Sequence, residues 1–71
     1  MTSIVSTVDV RDMLCAQALA VVAQALGRLP AGSVLEVRYN VPDVKRDLLA
    51  WGRERGHAIH DATATTLHLT A

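Results

Sequence analysis

The chain has no phenylalanine, one tryptophan, one tyrosine, one cysteine and two prolines among its 71 residues. Phenylalanine is a common platform for base stacking, and the seven Lys and Arg residues are balanced by seven Asp and Glu. With neither a stacking surface nor a broad positive field, the chain is poorly equipped for nucleic acid, and RNA or DNA is not expected as a main partner. One cysteine cannot close an internal disulfide, and no cluster of His or acidic residues surrounds it as a zinc motif would require. No segment approaches the run of about 18 apolar residues that a membrane span needs. The N-terminus also lacks the basic start and apolar centre of a signal peptide. A cytoplasmic protein with no membrane partner is the expectation. Repeats, low-complexity tracts and linkers are missing as well.

What is present suits one modest core. Half of the residues are hydrophobic (51%) and a fifth are charged (20%), too apolar a balance for disorder. A chain of this length forms one domain at most, here residues 1–71, burying only about 60% of the surface its unfolded form exposes. It has no room for a deep catalytic cleft.

The spacing of apolar residues changes period along the chain, as in a mixed α/β unit. Ser3 to Val10 is rich in β-branched residues, with Ile4, Val8 and Val10 on one side, and reads as a first strand. Ala16 to Leu29 turns helical: Leu19, Val22, Leu26 and Leu29 form one stripe, opposite Gln17, Gln24 and Arg28. Pro30-Ala31-Gly32 breaks the pattern. Val34 to Tyr39 then alternates, with Leu35, Val37 and Tyr39 facing inward and Glu36 and Arg38 outward. Pro42 opens a second helix that runs to Arg55, with Val44, Leu48 and Trp51 as its apolar face and Gly56 as its stop. His57 to His60 and Thr65 to Leu69 close the chain as a hairpin that pairs Ile59 with Leu67. The order βαβαββ predicts an α+β fold: a two-layer α/β sandwich in which two helices cover one face of a four-stranded mixed sheet. Right-handed crossovers make the first two strands parallel neighbours.

Cys15 falls between the first strand and the first helix, where free backbone N–H groups and the helix dipole favour an anion. A thiolate is expected to be stabilised there, and the thiolate is the form that attacks a persulfide. The alternative is a lone cysteine packed as a small hydrophobe beside Met13, Leu14 and Ala16.

The segment Val8-Asp9-Val10-Arg11-Asp12-Met13-Leu14-Cys15 resembles the LDxxGLxCPxP stretch of the TusA/SirA-like sulfur-carrier family. Pro30 to Val37 resembles the family's loop and second strand, Pro42 with Arg46-Asp47-Leu48 its second-helix segment, and Gly56-His57 its GH step. The resemblance covers nearly the whole chain and implies the same βαβαββ fold. It further implies a sulfur carrier that holds a sulfane sulfur as a persulfide on Cys15. The implied partners are a cysteine desulfurase or other persulfide donor and a sulfur-acceptor protein, with no metal or organic cofactor. A non-catalytic interaction or regulatory module with a structural Cys15 is the competing class.

Three residues depart from the motif. Ala16 and Ala18 stand where the family has prolines, and Asp12 stands at its glycine. Proline lacks an N–H and helps to fix a helix start, whereas alanine would let the helix extend backwards over Cys15. Asp12 at a glycine position meets the steric cost of any positive φ there, or brings a carboxylate near the thiol and raises its pKa. Asp12 is also a competent helix cap, and Arg11 could offset its charge. Whether helix one begins after Cys15 or includes it is left open by the residues alone.

The remaining candidates carry plainer expectations. His60 and His68 share one face of neighbouring strands in the expected hairpin, but two imidazoles do not make a zinc site. His57 has a structural role at the start of its strand. Lys45, Arg46, Arg53 and Arg55 give helix two a basic outer face that could steer an acidic partner, diluted by Asp43, Asp47 and Glu54. Trp51 is expected as the core anchor between helix two and the sheet.

Overall fold

The computed structural model describes residues 4–71, with side chains from Ser6 onward. Its elements run β1 (Ile4–Asp9), α1 (Cys15–Gly27), β2 (Val34–Arg38), α2 (Pro42–Arg55), β3 (Ile59–Thr63) and β4 (Thr66–Thr70). This is the expected βαβαββ order of an α+β fold. Ser3 and the facing of Ile4, both assigned to the first strand from sequence, lie outside the described residues.

The four strands lie in the order β1-β2-β4-β3. β1 pairs parallel with β2, as the crossover rule requires, and the other two pairings are antiparallel. The alternation read in strand two holds. Leu35, Val37 and Tyr39 are buried, Arg38 is exposed, and Glu36 is half-buried. Leu67 and Leu69 extend the inward face on β4, and all five join Val22 and Leu26 of α1 and Val44 and Leu48 of α2 in one cluster. Complete burial of side chains this size contributes roughly 1.5–3 kcal/mol each. The far face of the sheet carries Thr7, Glu36, Arg38, His60 and His68. Among the described residues no helix is long and apolar enough to cross a membrane.

Two details of the sequence reading are corrected by packing. Ile59 lies opposite Leu69, not Leu67, because a two-residue turn at Ala64-Thr65 is combined with a register shift between Asp61 and Thr63. His60 lies opposite His68, as expected, with ring centroids 5.9 Å apart at an interplanar angle of 75°. Trp51, expected as the core anchor between helix two and the sheet, packs against the core cluster but is only partly buried. The buried stripe runs Val44, Leu48, Gly52, one position further round, while Trp51 is half-buried and stacks on His57 at 5.5 Å. Gly52 explains the offset: lacking a side chain, it lets the helix approach β3 until Ile59 fills the space a Cβ would need.

α2 is otherwise terminated as its sequence specifies. Pro42 occupies the first turn, where its missing N–H costs nothing, with Asp43 at the positive end and Arg53 and Arg55 at the negative end of the dipole. Gly56 ends the helix at φ 79°, and the His57 N–H closes back on the Gly52 carbonyl at 2.8 Å. His57 also bonds through Nδ1 to the Thr70 carbonyl at 3.0 Å, which places the proton on that nitrogen, since a carbonyl can only accept. His57 thus ties α2 to β4, in the structural role expected of it.

Candidate functional site

The site lies where β1 hands over to α1, and the chain makes that turn with three local devices. Asp9 ends the strand, its carboxylate held by the Arg11 guanidinium at 2.7 Å and by the Arg11 backbone N–H at 3.0 Å. Those hydrogen bonds hold the Asp9 carboxyl down at about 2. Asp12 adopts φ 63°, the left-handed conformation the family glycine would take without cost. Asp12 is supported there by Asn40: its N–H donates to Asn40 Oδ1 and the Asn40 amide donates back to Asp12 Oδ1, both at 2.8 Å. The third device is Leu14, whose extended backbone serves as the N-cap residue and whose N–H reaches Gln17 Oε1 at 3.4 Å.

Of the two alternatives, helix one includes Cys15 and does not begin after it. Cys15 is the first helical residue. The Ala18 N–H donates to the Leu14 carbonyl at 2.9 Å and closes the first turn, a bond that a proline at position 18 has no hydrogen to make. Alanine therefore secures the helix start here by a hydrogen bond where the family motif relies on a fixed φ. The N–H groups of Cys15, Ala16 and Gln17 remain the free donors of the helix end.

Cys15 is half-buried and packs against the core cluster. Leu14 beside it is 75% exposed, the one large hydrophobic residue so exposed among those described. The thiol departs from the sequence expectation in one respect: its pKa is raised above the ordinary thiol value, not lowered. The largest cause is the Asp47 carboxylate on α2, whose interaction favours the neutral thiol, followed by burial and by the negative charges of Asp47 and Asp43. Arg46 opposes them more weakly. The groups that raise the pKa belong to the facing helix, against the lowering that the helix-end donors led one to expect.

Asp43, Arg46 and Asp47 occupy one face of α2 at the i, i+3, i+4 spacing, and all three act on the thiol's pKa. Sequence reasoning assigned none of them to the site. The available signal was that spacing, immediately after Pro42. Asp12, the carboxylate expected near Cys15, is engaged by Asn40 instead, and the groups that shift the thiol are those of α2.

The basic outer face of α2 forms a shallow groove of about 320 Å³ lined by Pro42, Lys45, Arg46, Leu49, Ala50 and Arg53. Asp61 holds Lys45 at 3.1 Å and Asp43 holds Arg46 at 3.3 Å, while Arg53 forms no ion pair among the described residues. On the far face of the sheet His68 lies 3.4 Å from Glu36. Among the described residues, no group of three or more His, Cys, Asp or Glu side chains is arranged to hold a metal ion.

Comparison with protein families gives a match to the family described as sulfurtransferase TusA over residues 6–70. Comparison with curated proteins and with solved structures gives no match.

Proposed function

This chain belongs to the sulfurtransferase TusA family and so has a general sulfur-carrier role; on that premise we propose that Cys15 bears the sulfur as a persulfide and relays it between partner proteins. The observation that carries the proposal is the place of Cys15. It is the sole thiol, stands at the first position of a helix, and is packed at the core's edge within the influence of Asp47 on α2.

In the first half-reaction the Cys15 Sγ attacks the outer sulfur of a donor persulfide. The bond between the donor's two sulfurs breaks and a new S–S bond forms on Cys15. The thiol proton passes to Asp47 and on to the departing donor thiolate, leaving Cys15 persulfide and donor thiol. In the second half an acceptor thiolate attacks the outer sulfur, and Cys15 leaves as a thiolate that regains a proton. Sulfane sulfur is transferred without net oxidation or reduction. A thiol whose pKa is raised gains from a base at the moment of attack, and Asp47 fills that role. The free N–H groups at the helix start then stabilise the charge that develops on sulfur.

The partners are a persulfide donor, such as a cysteine desulfurase, and a sulfur-acceptor protein, met in the reducing cytoplasm where free thiols persist. They dock through an acidic segment on the α2 groove, whose cations steer encounter and whose Leu49 and Ala50 floor offers apolar contact. Incubation with a cysteine desulfurase and cysteine, followed by intact mass spectrometry, is expected to show one added sulfur that a reductant removes and Cys15→Ser abolishes. Absence of the adduct with several such donors would sink the carrier reading. It would leave the second one, favoured by the raised thiol pKa and the packing of Cys15 on the core: a non-catalytic interaction module in which Cys15 is structural.

A further inference from the structure

A residue other than glycine at φ 63° costs energy that the surroundings must repay, although aspartate tolerates this region better than most residues. Here the repayment comes from one partner. The last backbone rung joining β1 to β2 runs from the Val10 N–H to the Arg38 carbonyl at 2.8 Å, and beyond it the two chains diverge into separate loops. The next tie is the reciprocal pair of 2.8 Å hydrogen bonds between Asp12 and Asn40. One loop delivers Cys15 three residues later. The other delivers Pro42 and the first turn of α2, which carries Asp43, Arg46 and Asp47.

We propose that the Asp12–Asn40 pair is a positioning device that locks the two loops in register, so that the Cys15 thiol is held in front of Asp47. The pair is exposed on both sides, and hydrogen bonds of exposed side chains add little to global stability. Its worth is geometric: it fixes the distance between a nucleophile on one element and a carboxylate on another. The inference deepens the assignment of Cys15 as the sulfur-bearing residue and rests on that reading for its consequence. Its test reads the thiol directly and does not depend on sulfur transfer.

The charged groups acting on the thiol, Asp47, Asp43 and Arg46, all belong to α2, so loosening the tie to α2 weakens all three together. The readout is the pH profile of iodoacetamide alkylation at Cys15, with urea unfolding in parallel. Asn40→Ala removes the partner. Asp12→Gly removes the carboxylate half of the pair, keeps the backbone N–H that donates to Asn40 Oδ1, and suits the left-handed backbone, so that variant folds. Both are expected to shift the alkylation midpoint downward. Each unit of lowering gives tenfold more thiolate of somewhat lower intrinsic nucleophilicity, a net gain near neutral pH of roughly three- to fourfold. The exchange Asp12→Asn with Asn40→Asp rebuilds two donors facing two carboxylate oxygens and is expected to restore the wild-type midpoint. The proposal is overturned if both single variants keep the wild-type profile, or if the folded exchange variant does not recover it. Absence of a persulfide on wild-type Cys15, with both single variants shifting the alkylation midpoint, would count against the carrier reading and not against the clamp.

Discussion

Gly52→Ala decides between two effects of opposite sign. In a helix interior, alanine is favoured over glycine by about 0.8–1.0 kcal/mol, so propensity alone predicts stabilisation. The structure predicts the reverse. A Cβ on Gly52 falls inside contact with Ile59 Cδ1 and 2.8 Å from Ile59 Cγ1, in the seam where α2 lies on β3. Overpacking of this kind costs typically 1–3 kcal/mol, or Ile59 swings away and returns its buried end to water at roughly 0.8 kcal/mol per methylene. The net expectation is destabilisation of about 1 kcal/mol, a fall in Tm of about 4–8 °C for a domain this small. Urea unfolding followed by Trp51 fluorescence measures it, and a double-mutant cycle identifies the cause. Ile59→Val alone should cost about 0.5–1.5 kcal/mol, but in the Gly52→Ala background it removes the clashing Cδ1 and should cost nothing or stabilise. A Gly52→Ala protein more stable than wild type would refute the reasoning. So would a cycle additive within about 0.5 kcal/mol, since it would mean that Ile59 is not the obstacle.

Two further predictions concern protons. Asp47→Asn keeps the side-chain shape but removes the charge that raises the Cys15 pKa, so the alkylation midpoint should fall while persulfide transfer slows for want of a proton acceptor; a midpoint that stays put would exclude Asp47 as the dominant cause. Because the folded protein holds the thiol proton more tightly than the unfolded chain, the associated stability is present below the ordinary thiol range and lost as pH rises through the folded pKa; Asp47→Asn should diminish that alkaline loss in unfolding curves. Arg11→Ala should return the Asp9 carboxyl from about 2 toward the ordinary carboxylate value, followed by NMR titration of its side chain. The depressed Asp9 value contributes stability above the unfolded carboxylate range that disappears as pH falls toward 2, so the variant should also show a shallower acid limb.

The elements were legible in the sequence because their signals are local. Pro42 and Gly56 bracket α2, and the buried alternation of Leu35, Val37 and Tyr39 runs through β2 and the residue after it. The errors fall where tertiary contact overrides a local rule. Trp51 reads as the anchor by residue type, yet a glycine next to it sets how close the helix lies to the sheet. Ile59 shifts its cross-strand partner because the register change in β3 has no sequence marker. Cys15 itself was readable as the sole thiol at a helix start, but the sign of its pKa shift was not. That sign depends on Asp43 and Asp47, more than two dozen positions away in sequence and brought opposite by the packing of α2. The Asp12–Asn40 pair was hidden for the same reason.

The strand order leaves β1 and β3 as the two edges of the sheet, and each contains a register shift, between Ile4 and Ser6 and between Asp61 and Thr63. Such irregularities bend the strand and break the even row of N–H and C=O groups that a foreign strand would need as a template. The sheet margins therefore resist self-templating, and the cationic groove lies away from them, on α2.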